Sequence, residues 1–172
     1  MMQNRSRLIR WSFLAVTVGS LLAAGPPGDG FVTIDLPGVT DIEAYGVDNH
    51  GTVTGLYYDA AGNTHGFVYQ DGVVTTVDAP TSNPPLSQAQ LYNINNKGQV
   101  GAYYVDDHGI ARAAVYDLDN QTWDTLPVIN VPAYLAGAGG VNANGVVAGN
   151  WTTDPTGLTG EQGWTFDPKT GS

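Results

Sequence analysis

An all-β, propeller-like array of three four-stranded repeats is the architecture the sequence predicts, and three observations predict it. The segment YGVDNHGTVTGLYYD (45–59) recurs as YNINNKGQVGAYYVD (92–106) and again as GGVNANGVVAGNWTT (139–153). The step between copies is 47 residues and needs no gap as far as Trp151. Within each copy β-branched, small and aromatic residues alternate with a period of two, the pattern of a half-buried strand. A repeat of about 45 residues with four short strands has the size of a propeller blade.

The elements follow in order. Tyr45–Val47 leads into the corner Asp48-Asn49-His50-Gly51, and Thr52–Tyr58 places Val53, Gly55 and Tyr57 on one face. Val100, Ala102 and Tyr104, then Val147, Gly149 and Trp151, repeat that order. The loop DAAGN (59–63) turns into His65–Tyr69, and Asp71-Gly72 turns into Val73–Asp78. Asn49, Asn96 and Asn144 with Gly51, Gly98 and Gly145 read as turn chemistry, because Asn and Gly tolerate left-handed backbone. Gly55, Ala102 and Gly149 read as positions where a backbone or ring comes close.

A further element, FVTIDLP (31–37), recurs as VTTVDAP (74–80) and more loosely as TWDTLP (122–127). The third copy reaches Gly171-Ser172 where its fourth strand is due, whereas Phe31–Pro37 is a fourth-strand copy without preceding strands. Two arrangements answer this. Phe31–Pro37 completes the third unit by pairing with Trp164–Asp167, within one chain or between chains, or the chain is a fragment of a larger propeller. Unpaired strand edges make self-association an expectation in the first case.

Residues 1–24 read as a secretory signal peptide. Arg5, Arg7 and Arg10 precede an apolar run from Trp11 to Ala24, and Gly25-Pro26-Pro27-Gly28 follows. Fourteen residues would span only ~21 Å of helix, short of a ~30 Å hydrocarbon core. Residues 25–30 form a linker and 31–172 the repeat domain. A secreted or periplasmic location follows from the leader, with no membrane contact beyond it.

Without residues 1–24 the chain keeps Lys97, Arg112 and Lys169 against sixteen acids, a formal net charge of −13. Nucleic acid and anionic membranes need clustered Lys or Arg and are poor partners for such a surface. There is no cysteine, so a disulfide framework, a catalytic thiol and a thiolate zinc site are excluded.

At NTHGFVYQDG (63–72) together with INNKGQV (94–100) the sequence resembles the HAF-repeat family of extracellular bacterial proteins, whose repeats read G-I-N-N-x-G-Q-V-V-G-Y followed by H-A/G-F-x-Y. The resemblance spans residues 31–172. In later copies His65-Gly66-Phe67 becomes Arg112-Ala113-Ala114, then Gln162-Gly163-Trp164. The resemblance implies export, β-rich repeats and a propeller-like fold. It implies no enzymatic activity and no functional residues.

No G-x-S-x-G elbow and no phosphate loop is present, and His50, His65 and His108 lack a spacing that would present two imidazoles to one metal. They read as exposed turn and strand-start residues. An Asp that alternates with Asn at a turn position, as Asp48 does with Asn95 and Asn142, accepts backbone hydrogen bonds. Glu43, Asp107, Asp154 and Glu161 read as acids outside the period. Calcium is a weak expectation at DAAGNTHG (59–66) and VDDHG (105–109), neither of which matches an EF-hand loop. Most aromatics recur at one strand position, as packing between units requires. Tyr58 and Tyr103 face the other way, and Tyr134 stands outside the repeat. Tyr58, Tyr103, Tyr134, Glu43, Asp107 and Glu161 are therefore the expected ligand contacts. The expected function is that of a non-catalytic extracellular binding or structural module for a glycan or protein. The alternative is a carbohydrate-active enzyme fragment working through loop carboxylates.

Overall fold

The computed structural model describes residues 30–81, 88–127, 135–154 and 159–172. The leader and most of the linker lie outside the described residues, as does Tyr134. Eleven strands are formed among the described residues, and no helix. Sheet 1 holds β1 (Asp41–Val47), β2 (Val53–Tyr58), β3 (Thr64–Gln70) and β4 (Val73–Val77) in that order. Sheet 2 repeats this with β5 (Ala89–Ile94), β6 (Gln99–Val105), β7 (Ala111–Asp117) and β8 (Thr122–Thr125). Sheet 3 is formed by β9 (Leu135–Val141), β10 (Val147–Thr152) and β11 (Gln162–Phe166). Every pairing is antiparallel between neighbours in sequence. The described residues form three sheets in series and no closed ring.

One corner builds all of the sheets. At Asp48 the carboxylate Oδ1 accepts the N–H of His50 and of Thr52, the backbone N–H donates to Thr52 O, and Gly51 N–H returns to Asp48 O. Asn95 does the same with Lys97, Gln99 and Gly98, and Asn142 with Asn144, Val146 and Gly145. The β2–β3 and β6–β7 loops use it as well, through Asp59 with Ala61 and Asn63, and Asp106 with His108 and Ile110. In all five the fourth residue is glycine at positive φ, between 70° and 85°. Only glycine adopts that conformation without strain, which is why the motif is so constant. Corners also bond across the repeat: Asn49 N–H donates to Asn96 Oδ1, and Asn95 Nδ2 to Asn142 O, each 47 residues apart.

The core lies between sheets. Val77 from sheet 1 packs with Leu91, Ile94, Val100 and Ala102 of sheet 2. Val115 and Leu126 pack with Ala138, Val141 and Val147 of sheet 3. Under sheet 1, Ile34, Leu36 and Val39 cover Tyr57, Phe67 and Val74. Burying each such aliphatic side chain contributes roughly 1.5–3 kcal/mol.

Here the structure corrects the within-chain expectation for Phe31–Pro37. Residues 31–36 form no strand and are not paired with Trp164–Asp167 of the same chain. Ile34, the counterpart of Val77, instead packs on the sheet that follows it in sequence, as Val77 does. Within one chain the apolar side chains of this element reach the adjacent sheet without any ladder.

The small residues of the repeat have a cross-strand explanation. Gly55 is in register with Phe67, Ala102 with Ala114 and Gly149 with Trp164. A methyl at Gly55 would overlap the Glu43 carbonyl oxygen and the Phe67 ring, and one at Gly149 the Gly137 carbonyl oxygen and the Trp164 ring. Glycine thus faces an aromatic in sheets 1 and 3, and alanine faces alanine in sheet 2. Gly55→Ala should destabilise by about 1–3 kcal/mol or more through overpacking against backbone, whereas Ala102→Gly should cost only about 1 kcal/mol. Urea unfolding of the two variants measures the contrast, and equal effects would contradict this account of the pair.

The corner acids make stability pH-dependent. Hydrogen bonds from the Asn63 side chain and backbone, with His65 and Ala61, hold Asp59 down to about 2. Burial by itself would raise Asp48 and Asp106, but donors from Thr52 and His50, and from Ile110 and Arg112, hold both below the ordinary carboxylate value. Folded-state values below the unfolded value of about 3.9 mean stabilisation that is complete above that pH and lost as pH falls toward about 2. The melting temperature should therefore drop between about pH 5 and pH 2. Asp48→Asn should preserve the corner, as Asn95 and Asn142 do, and shrink that drop. Asp48→Ala should cost about 1–3 kcal/mol at neutral pH, because two N–H groups lose their acceptor.

Candidate binding surface

The first strands of the three sheets lie side by side, β5 against β1 and β9 against β5. On β1 the Tyr45 hydroxyl donates to Glu43 Oε2, and on β5 the Tyr92 hydroxyl donates to Gln90 Oε1. These are one arrangement repeated, since Glu43 and Tyr45 advanced by 47 are Gln90 and Tyr92. The two tyrosine rings meet with centroids 5.4 Å apart and planes tilted by 60°. Each tyrosine stands where the register shifts, between Ala44 and Gly46 on β1 and between Leu91 and Ile94 on β5, and its ring reaches the acceptor two residues earlier.

Electrostatics ties further residues to this pair. The hydrogen bond to Glu43, then burial and the Glu43 charge, push Tyr45 up to about 12. Burial first, then the nearby Tyr45, Tyr103, Tyr58 and Glu43, push Tyr92 up to about 12. Three expected contacts, Glu43, Tyr58 and Tyr103, are thus gathered around Tyr45 and Tyr92. Tyr103 is in register with Gln90, and Glu43 with Leu56. Tyr45 is 48% exposed and both Tyr58 and Tyr103 are half-buried, so the band is open to solvent.

On sheet 3 the counterparts of Glu43 and Tyr45 are Gly137 and Gly139. A side chain at Gly137 would fall between Asn150 Oδ1 and Tyr103 Cβ, at 3.8 and 3.9 Å. Neither glycine sends a side chain toward the tyrosines, and the nearby Asn150 donates through Nδ2 to Glu161 Oε1 at 3.2 Å. Glu161 therefore borders the band, while Asp107 sits apart at the exposed β6–β7 corner. Glu43 stands in β1, Asp107 in the β6–β7 loop and Glu161 just before β11.

Reading Glu43 as outside the period was an error, because Gln90 is its counterpart. The amide–carboxylate exchange concealed the match, and the pairing of 43 with 45 and 90 with 92 was the signal that could have found it. Tyr45 and Tyr92 were visible as repeat positions but not as members of this band. His65 also departs from expectation. Its side chain is only 18% exposed, stacks on Tyr57 at 5.0 Å, and lies 2.6 Å from Asp78 and 3.5 Å from Asp59. Arg112 fills the same position in sheet 2 and pairs with Asp106 at 2.7 Å.

The two loops considered for calcium spend their carboxylates internally. Asp59 Oδ1 accepts two backbone N–H groups and its Oδ2 accepts Asn63 Nδ2, and Asp106 accepts two backbone N–H groups and Arg112. Among the described residues no group of three or more His, Asp or Glu side chains is placed to hold a metal ion. A concavity of about 380 Å³ opens between sheets 1 and 2, walled by Asp48, His50, Gln70, Lys97, Tyr116 and Asp119 among others. It mixes both charges and contains none of the expected contacts.

A spectrophotometric alkaline titration checks the band. A phenol raised above its ordinary value of about 10 contributes stability that is present below pH 10 and lost as pH rises through about 12. Tyr45 and Tyr92 should be among the last of the nine tyrosines to ionise. Glu43→Ala should return one of them toward the ordinary range, and an unchanged titration would contradict the coupling. No protein-family model, curated protein or solved structure was found to match the chain.

Proposed function

We propose that this chain is a non-catalytic, exported binding module, and that its ligand is a glycan held on the tyrosine band. The observation that carries the reading is the doubled unit of Glu43 with Tyr45 and Gln90 with Tyr92, flanked by Tyr58 and Tyr103. A sugar ring offers an apolar C–H face and a rim of hydroxyls. Open tyrosine rings suit the former, and a fixed carboxylate and amide suit the latter. Gly137 and Gly139 carry no side chain that would exclude a ligand beside Tyr103.

The resemblance to HAF-repeat proteins and the basic, apolar leader both favour export. Glu43 accepts from the Tyr45 hydroxyl and Glu161 from Asn150, and a carboxylate held as an acceptor favours binding over hydrolysis by a carboxyl pair. The net negative charge favours neutral or cationic saccharides over sulfated ones.

A glycan array and a hydrolysis screen of the purified domain, run with and without calcium, test this. Tyr45→Ala and Tyr92→Ala should each weaken retention of the bound glycan about tenfold, equivalent to ~1.4 kcal/mol. Asp107→Asn should leave it unchanged. Release of sugar that disappears in Glu43→Gln would replace the module with an enzyme, and an array that retains nothing would remove the glycan.

A further inference from the structure

We propose that two copies of this chain join end to end, the segment Phe31–Ile34 of one copy adding as a fourth strand to β11 of the other. The reasoning starts from what a fourth strand does in this fold. β4 is hydrogen-bonded to β3, and its Val77 packs on sheet 2. β8 is hydrogen-bonded to β7, and Leu126 just beyond it packs on sheet 3. The FVTIDLP segment performs only the second task. Ile34 and Leu36 pack on sheet 1, yet residues 31–36 join no strand. Conversely, β11 occupies the third-strand place and is paired on one side alone among the described residues. Among the described residues one chain thus carries a fourth-strand element without a ladder and a ladder without a fourth strand.

The sheet faces show the same complementarity. Ile94 and Val141 are 4% and 5% exposed because the preceding sheet covers them. Val47 is their counterpart in sheet 1 and is 64% exposed. On the opposite face Thr54 is fully buried, its hydroxyl donating to Tyr92 O, and Gly101 lies against the Ala138 carbonyl oxygen. Their counterpart in sheet 3, Ala148, is exposed. Val68 and Val115 pack toward the next sheet, and their counterpart Thr165 is exposed. The contact that joins sheet 1 to sheet 2, and sheet 2 to sheet 3, therefore has both of its halves free at the two ends. Phe31 and Val32, at 87% and 69% exposure, border the free front half.

A front-to-back contact of this kind is heterologous and builds a ring or a filament. Two copies give six sheets, within the usual ~4–8 of a closed propeller, and closure removes both open edges. The β3–β4 register carries over directly. Tyr69 faces Val74, Phe67 faces Thr76 and Val68 faces Thr75, so Phe31 of one copy should face Phe166 of the other, Thr33 face Trp164, and Val32 face Thr165. The buried indole N–H of Trp164 has no acceptor among the described residues, and Thr33 would bring a hydroxyl opposite it.

Light scattering after size exclusion should give twice the mass of the chain. Val47→Asp and Val32→Asp should each give the single mass with an unchanged circular dichroism spectrum, since both side chains are exposed in one copy. The chain has no cysteine, so single-cysteine variants report cleanly. Val32→Cys and Thr165→Cys chains, mixed and oxidised, should form a mixed disulfide, since facing residues of antiparallel strands are close enough to bridge. A single-chain mass for the unmodified protein, or cross-links only between two Val32→Cys chains, would overturn the proposal. In the double variant, cross-linking inside one chain would show closure by a single copy and overturn it equally.

Discussion

An Asp or Asn side-chain oxygen that captures the backbone N–H groups two and four residues on is the interaction on which the rest of this structure depends. Together with a glycine at positive φ in the fourth position, it turns the chain in five places with the same geometry. Each corner sets the register of a hairpin, and register decides which face each side chain takes, because a slip of one residue would reverse them all. Phe67 meets Gly55, and Ala114 meets Ala102, only because the Asp59 and Asp106 corners hold those alignments. The corners also touch one another across 47 residues, so the device that shapes each sheet helps to set the distance to the next.

Stacking then takes over from hydrogen bonding. A single four-stranded sheet of this length has two faces to cover and no helix to cover them. Each sheet is buried by its neighbours, and each fourth-strand element lends an apolar residue to the following sheet. Stability in such an array is close to a sum of units and junctions. The ends are consequently the exposed places, which is visible in Val47 and Ala148, whose counterparts inside the array are buried.

The tyrosine band is a by-product of the same periodicity with one interruption. Sheets 1 and 2 present an acceptor and a tyrosine two residues apart, and sheet 3 presents glycines. Repetition builds a surface of matched groups, and the break in repetition leaves bare backbone next to it. Charge alternation between Glu43 and Gln90 means the two tyrosines are raised for different reasons, one chiefly by its acceptor and one chiefly by burial.

The strands, corners and inward aromatics were legible in the sequence, because they depend on local conformation and on a period that can be counted. Asp48 and Asn95 announced a backbone acceptor by exchanging at one turn position, and the ring approach to Gly55 and Gly149 was foreseeable from their size. Glu43 was misread, since Glu and Gln differ in charge while serving as the same acceptor. The burial of His65 between Asp59 and Asp78 was hidden, as it needs β3 and β4 to be in place first. The destination of Phe31–Pro37 was decided only in three dimensions. Its likeness to 74–80 specified a partner sheet for its side chains and a partner strand for its backbone, and the fold satisfies the first without the second. Sequence by itself determined the unit and its repetition, because those rest on interactions within a few tens of residues. Tertiary structure decided which faces stay open and which tyrosines gather, because those depend on where whole sheets come to rest against one another.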